Sequence, residues 1–138
     1  MAAALKFLSE AQWAHMRLTT GVTATDGSSQ TDFTWIGTAP SGDWMPVKII
    51  VSSSGTAGAG NPADCILTIY LSDGTTSRKI RTVDLGDAAA GTIATPEGQW
   101  EINFGPEWVF PTGTKLQANI SLTPTAGNID LVMLAQKA

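Results

Sequence analysis

The sequence predicts an all-β fold: an antiparallel β-sandwich of the jelly-roll or immunoglobulin-like kind, with seven to nine strands. Along most of the chain, apolar side chains recur at every second residue, which is the period of a half-buried strand. The runs are separated by turns that contain glycine, proline or Asp-Gly. No long segment has a helical period, and 138 residues are enough for one domain with its own core.

In chain order, the runs with this alternation cover residues 16–22, 33–35, 47–51, 65–71, 76–85, 100–104, 116–122 and 129–135. The clearest is 116–122, where apolar residues take the even positions and polar residues the odd ones. The run 65–71 is apolar almost throughout, which is typical of a central strand. We expect the inward face to contain Leu18, Trp35, Ile49, Val51, Leu67, Ile69, Ile102, Phe104, Leu116, Ile120, Leu131 and Met133.

Local signals also predict how the strands are joined. Asp73 and Gly74 lie between two strand-like runs and predict a hairpin. The second of these runs changes phase, so we expect a β-bulge near Arg81, because one extra residue reverses the facing of those that follow. Long loops rich in small residues are expected at 24–31, 52–64 and 86–98, and a turn at 124–128.

The N-terminal residues carry a different local signal. Ser9 and Gln12 have the spacing of a helix capping box, and Leu8 and Trp13 flank it at the positions of a hydrophobic staple. This spacing predicts a short helix or turn over about residues 10–15.

The chain is therefore expected to consist of an N-terminal arm, residues 1–15, and a β-sandwich domain, residues 16–138. The arm carries Leu5, Phe7 and Leu8. Burying such side chains contributes about 1.5–3 kcal/mol each, which offsets only part of the cost of ordering the arm, at about 1–2 kcal/mol per residue. We expect the arm to pack across a subunit boundary, where a neighbour adds contact area.

Charge and hydropathy exclude several classes of function. Eight basic and twelve acidic residues give a net charge of −4, which argues against a protein that grips nucleic acid phosphates. Lys6 lies inside the first apolar run rather than before it, so no secretory signal peptide is predicted. No apolar stretch reaches the length of a membrane span. We therefore expect a protein that is made and kept in the cytoplasm unless other machinery exports it.

No catalytic, cofactor-binding or metal-binding residue is predicted. The chain has one histidine, His15, and one cysteine, Cys65, which excludes a disulfide framework and metal centres built from several such residues. Cys65 falls on the apolar phase of its strand and is expected to be a small buried side chain. No nucleophile motif of the G-x-S-x-G type is present.

Two further segments have a structural and a functional interpretation. Residues 97–108 combine tryptophans with Glu97, Glu101 and Glu107, a composition found at carbohydrate sites. Glu101 nevertheless falls on the polar phase of a strand and Trp100 on the apolar phase, so the structural interpretation is preferred.

The basic residues Arg78, Lys79 and Arg81 are interpreted as a solvated strand face rather than as a contact to DNA or to an acidic neighbour.

Charged residues make up only 14% of the chain, and the cores of protein interfaces are poor in charge and rich in aromatic residues. Trp44 lies in a turn and Trp108 follows a Gly-Pro break. Each either closes an end of the sandwich or anchors a partner. The candidate interface residues are Leu5, Phe7, Leu8, Trp13, Trp44 and Trp108.

Three segments follow one another in the chain: Phe-Leu-Ser-Glu-Ala-Gln-Trp at 7–13, Leu-Ser-Asp-Gly-Thr-Thr at 71–76 and a Thr/Ala-rich strand pair at 116–134. In the order and style of these elements, the chain resembles the small β-sandwich virion proteins of tailed bacteriophages. The resemblance implies a non-enzymatic structural protein, first a capsid decoration or cement protein and next a tail or fibre component. A carbohydrate- or receptor-binding module is the alternative from a different class.

The same resemblance implies a location and partners. Virion proteins assemble in the host cytoplasm without a signal peptide and then work outside the cell. The resemblance implies a homo-oligomer that contacts capsid or tail subunits, with the arm reaching a neighbouring subunit. It carries over no catalytic residue and implies no cofactor and no membrane contact.

Overall fold

A computed structural model describes residues 11–19, 21, 29–53, 65–85, 98–121 and 128–138. These residues form β-strands and no helix. In chain order the strands are β1 (Ala11–Leu18), β2 (Thr31–Asp32), β3 (Thr34–Ile36), β4 (Trp44–Ser53), β5 (Ile66–Ser72), β6 (Ser77–Asp84), β7 (Gly98–Asn103), β8 (Lys115–Ile120) and β9 (Ile129–Lys137).

The strands lie in two antiparallel sheets that pack against each other, which confirms the predicted all-β sandwich. Among the described strands, the first sheet has the order β3-β1-β9-β4-β7 and the second sheet has the order β2-β8-β5-β6. β2 and β3 are consecutive in the chain but belong to different sheets. Phe33, the one residue between them, is where the chain crosses from the second sheet to the first.

The core between the sheets is built from the residues that the alternation assigned to it. All twelve predicted inward residues pack in this core. Ten of them are buried, and Trp35 and Phe104 are partly buried against the rest. Cys65 is also fully buried, as its strand phase predicted. The facing of the strands is therefore confirmed wherever the structure describes it.

The predicted bulge in β6 is present. Ile69 pairs with Arg81 and Tyr70 with Lys79, so Ile80 is an extra residue on β6. An extra residue of this kind reverses the facing of the residues beyond it. This explains the change of phase in the sequence.

The predicted hairpin between β5 and β6 is also present. The Asp73 amide donates to the Thr76 carbonyl at 3.2 Å, and Gly74 has a φ of +96°. A positive φ is strained for residues with a Cβ, which explains the glycine. The Asp73 carboxylate accepts hydrogen bonds from the amides of Thr75 and Thr76 at 2.9 and 2.7 Å.

The prediction of a helix or turn over residues 10–15 is wrong for the part that the structure describes. Residues 11–15 belong to β1, which pairs with β9 from Ala11 opposite Gln136 to Leu18 opposite Ile129. Ala14 and Met16 are buried in the core with Leu18. A long cross-strand register with a buried face outweighs a local capping preference.

β1 also crosses the domain boundary expected after residue 15. Residues 1–10, with the candidate interface residues Leu5, Phe7 and Leu8, lie outside the described residues. The same holds for most of the loops expected at 24–31, 52–64 and 86–98 and of the turn at 124–128.

Candidate functional site

The first sheet presents a group of apolar side chains on the face opposite to the core. Trp13 on β1 stands directly opposite Ile36 on β3 and Leu134 on β9. In the next row, Val132 on β9 stands opposite Ile50 on β4. We call Trp13, Ile36, Ile50, Val132 and Leu134 the outer patch. Trp13 is 40% exposed and Ile36 is 59% exposed, and the other three are half-buried.

The outer patch follows from the sequence of β9. Leu131 and Met133 point into the core, while Val132 and Leu134 alternate with them on the outer face. From Leu131 to Leu134, β9 is thus apolar on both faces, a pattern typical of strands that are covered on both sides. The chain's own core covers one of these faces, which makes the outer patch a candidate contact with another molecule.

Charged side chains of both signs lie around the outer patch. The Arg17 guanidinium donates two hydrogen bonds to the Asp130 carboxylate, at 2.7 and 3.1 Å. These bonds raise the pKa of Arg17, so its charge is retained. Lys48 Nζ lies 3.1 Å from Glu101 Oε1. His15, the single histidine, is exposed on the same face, opposite Val132.

Trp13, Trp44 and Trp108 are the predicted interface residues that the structure describes, and of these three Trp13 lies on this outer face. Trp44 is buried, with 3% of its surface exposed. Its ring makes edge contacts with Trp35 and Phe110, at centroid distances of 5.3 and 5.0 Å. Its backbone also pairs with that of Phe110 through hydrogen bonds of 2.9 and 2.8 Å. Trp44 is thus a core residue, and its assignment to the interface is corrected.

Trp108 is half-buried and belongs to the same aromatic cluster. Its ring lies 5.7 Å from that of Phe104 and 6.1 Å from that of Phe110, in edge contact with both. Aromatic pairs of this geometry contribute about 0.5–1.5 kcal/mol beyond the area they bury. Trp108 therefore contributes first to packing.

In the segment 97–108, whose composition is found at carbohydrate sites, the described residues support the structural interpretation. Trp100 packs partly buried against the core, whereas Glu101 and Glu107 are exposed. The Glu101 carboxylate pairs with Lys48. Glu97 lies outside the described residues. A pocket among the described residues is built from other side chains.

This pocket opens where the chain crosses between the sheets at Phe33, and its volume is about 290 Å³. Its apolar lining consists of Phe33, Trp35, Trp44, Leu116 and Met133, with Ala39 beside them. Its polar lining consists of Asp32, Thr114 and Lys115. Sequence reasoning did not find this site, because Asp32 and Lys115 are 83 residues apart in the chain.

Asp32 is held in place at the pocket by hydrogen bonds. Gln117 Nε2 donates to its Oδ1 at 2.5 Å, and Lys115 Nζ donates to its Oδ2 at 3.2 Å. The hydrogen bond from Gln117 is the largest cause of the shift and lowers the pKa of Asp32. Burial opposes this shift, and the hydrogen bond and charge of Lys115 lower the pKa further. The carboxylate is therefore ionised at neutral pH.

The basic residues Arg78, Lys79 and Arg81 are exposed on β6. β6 is the outermost described strand on its side of the second sheet. Exposed cations on an outermost strand oppose unwanted pairing with other strands. This placement agrees with the interpretation of a solvated strand face.

In the described part of the chain, no group of three His, Cys, Asp or Glu side chains is arranged to hold a metal ion. Nor do the described residues include a helix with the length and apolar character needed to span a bilayer. No protein-family model matches this sequence, and a search of curated proteins finds no match. The roles of the outer patch and the pocket must be inferred from their own chemistry.

Proposed function

We propose that this protein is a non-enzymatic structural protein of a bacteriophage virion, and first of all a capsid decoration or cement protein. A tail or fibre component is the alternative location. The observation that carries the proposal is the outer patch, with Trp13 and Ile36 exposed at the end that lies on β1 and β3. A sandwich that is poor in charge and exposes such side chains is suited to permanent contacts rather than to turnover.

In this proposal the outer patch binds a second copy of the chain. Tryptophan is among the residues that dominate the energy of protein interfaces. The patch is accompanied by the ion pairs Arg17–Asp130 and Lys48–Glu101, which carry both signs on one face. A face with both signs can be complementary to itself in a two-fold contact, where each copy presents the same residues.

The other partners in the proposal are capsid or tail subunits, and assembly takes place in the host cytoplasm. Nucleic acid is not proposed as a partner, because the chain carries a net charge of −4. The part of the arm that precedes β1, residues 1–10, is proposed to add contacts to a neighbouring subunit.

The proposal is tested by the association of the full chain, measured by sedimentation velocity and by co-sedimentation with capsids. Trp13→Thr and Ile36→Thr remove the apolar surface of the patch. Threonine itself favours strands, so the sheet is expected to form in both variants. We expect each to weaken self-association at least tenfold, which corresponds to about 1.4 kcal/mol. The matched control is Val109→Thr, because Val109 is also exposed, at 47%, but lies in the connection between β7 and β8.

Unchanged association in both patch variants would contradict the proposed contact. An equal loss in Val109→Thr would also contradict it, because the effect would then be a general one of surface hydrophobicity. Absence of the wild-type chain from purified particles would reject the virion role itself.

The absence of catalysis is part of the proposal and has its own test. Glycan substrates are incubated with the wild-type chain, and we expect no cleavage. Cleavage that disappears in both Glu101→Gln and Glu107→Gln would reject this part of the proposal and identify residues 98–108 as an active segment.

A further inference from the structure

The pocket at the crossover between β2 and β3 combines an aromatic floor with a polar mouth. Phe33 and Trp44 are buried, while Trp35 is half-buried and keeps part of its ring surface accessible. Asp32 and Lys115 stand at the mouth and are both exposed. This division into an apolar and a polar side is the usual form of a site for small molecules.

The mouth of the pocket has no net charge. Asp32 and Lys115 form an ion pair of 3.2 Å, so their charges cancel there. A charged ligand would be attracted by one of these groups and repelled by the other. The pair therefore favours a neutral ligand.

The mouth retains hydrogen-bonding capacity. An ionised carboxylate has about four positions for accepting hydrogen bonds, and Gln117 and Lys115 use two on Asp32. The Lys115 ammonium has three N–H donors, one of which is directed to Asp32. Thr114 adds a hydroxyl that can donate and accept. A purely apolar ligand would remove water from these groups without replacing its hydrogen bonds.

The carboxylate at the mouth is positioned in advance. Gln117, which donates to Asp32, accepts a hydrogen bond from the Ser77 hydroxyl at 2.7 Å. Ser77 in turn accepts one from Gln30 Nε2 at 2.9 Å. This chain of side chains holds Asp32 in one orientation, and groups that are ordered before binding reduce the entropy lost on binding.

We propose that this pocket binds one hexopyranose ring of a neutral glycan. A hexopyranose has an apolar face of C–H groups that can pack on Trp35 and a rim of hydroxyls for Asp32, Thr114 and Lys115. The volume of about 290 Å³ lies just below the usual range for ligand pockets, about 300–1,000 Å³. This volume limits the buried part of the ligand to roughly one ring. This inference does not depend on the proposed virion function.

The test titrates the full chain with the methyl glycosides of glucose, galactose, mannose and N-acetylglucosamine. Binding is followed by saturation-transfer NMR and by tryptophan fluorescence. We expect at least one glycoside to bind saturably. We expect Asp32→Asn and Trp35→Leu to lower its affinity at least tenfold. The matched control is Glu101→Gln, which removes the charge of another exposed carboxylate paired with a lysine, at 3.1 Å, and should leave the affinity unchanged.

Failure of all four glycosides to bind would overturn the inference. So would an equal effect of Asp32→Asn and Glu101→Gln. Indole and p-cresol serve as apolar probes: if they bind and Asp32→Asn leaves their affinity unchanged while no glycoside binds, the pocket takes an apolar group instead. Asp32 is exposed, so Asp32→Asn keeps the test decisive even if Trp35→Leu fails to fold.

The test is separable from that of self-association. Trp13→Thr is expected to keep glycoside binding, and Asp32→Asn is expected to keep self-association. If the wild-type chain self-associates but binds no glycoside, the pocket proposal alone has failed. If it binds a glycoside but does not self-associate, the proposal for the outer patch alone has failed.

Discussion

Trp13 and Ile36 stand directly opposite each other in the antiparallel pair of β1 and β3, on the side of the sheet that faces away from the core. They are two of the three large apolar side chains that remain exposed among the described residues. An aromatic residue opposite a β-branched one contributes about 0.2–1 kcal/mol to a sheet. The pair thus supports the edge of the first sheet and also forms the exposed end of the outer patch.

The contribution of this pair within one chain is predicted to be small. In a double-mutant cycle of Trp13→Thr and Ile36→Thr, we expect a coupling of about 0.2–1 kcal/mol in the free energy of unfolding. The measurement is chemical denaturation at a protein concentration where the chain is monomeric. A loss of several kcal/mol in either single variant would mean that another part of the same chain covers the patch.

Truncation of a core side chain is predicted to be costly. Ile120 on β8 is fully buried, so Ile120→Ala should lower the free energy of unfolding by about 2–5 kcal/mol. The control is Ile36→Ala, because Ile36 is 59% exposed and its truncation should change stability by about 0.5 kcal/mol or less. Equal losses in the two variants would contradict the facing of the strands.

Two tryptophans should respond in opposite ways to truncation. Trp44 is buried between Trp35 and Phe110, so Trp44→Ala should cost about 3–5 kcal/mol in the free energy of unfolding. Trp13→Ala should cost much less in the monomer but should weaken self-association. If Trp44→Ala kept its stability and lost only association, Trp44 would be an interface anchor after all.

The hairpin turn predicts a dependence of stability on acid pH. The amides of Thr76 and Thr75 lower the pKa of Asp73 by donating hydrogen bonds to its carboxylate. A carboxylate with a lowered pKa stabilises the folded state above its ordinary pKa of 3.8, and this contribution is lost as the pH falls through the folded-state pKa.

We therefore expect wild type to melt at a higher temperature than Asp73→Ala at pH 7. The difference should shrink as the pH is lowered below about 4, where the unfolded chain begins to bind the proton. Melting curves from pH 7 to pH 2 measure this difference. A constant difference over the whole range would show that the charge on Asp73 has no part in it.

The arm yields a prediction from the sequence alone, since residues 1–10 lie outside the described residues. Deletion of residues 2–8 should leave the melting temperature of the sandwich within a few degrees. It should weaken assembly or capsid binding at least tenfold, about 1.4 kcal/mol. Normal assembly of the deleted chain, or unfolding of the sandwich, would show that the arm has no role between subunits.

Much of the fold could be read from local patterns. The alternation that places Ile49 and Ile120 inside depends only on successive side chains of a strand pointing to opposite faces. The turn at Gly74 and the bulge beside Arg81 are likewise local, because backbone conformation and strand phase are properties of a few neighbouring residues.

The candidate sites were much less accessible to such reasoning. The role of Trp13 at an interface stays a prediction, although its side chain is exposed. The local reason for proposing it was wrong, because Trp13 was assigned to a helix start and lies in β1. For Trp44, the sequence cannot distinguish a buried tryptophan that closes an end of the sandwich from an exposed one that binds a partner. The local sequence around the residue is the same in the two cases. The neighbours that bury it, Trp35 and Phe110, come from other parts of the chain.

By itself, the sequence determined that this chain forms strands, which side of each strand faces inward and where the β5–β6 hairpin turns. Only the tertiary structure decided that β1 lies beside β9, that Trp13 faces away from the core beside Ile36, and that Asp32 and Lys115 meet at a pocket. The facing of a strand follows from the alternation of apolar and polar residues within its own sequence. Strand neighbours depend on which distant segments bury the most apolar surface together, and that competition involves the whole chain.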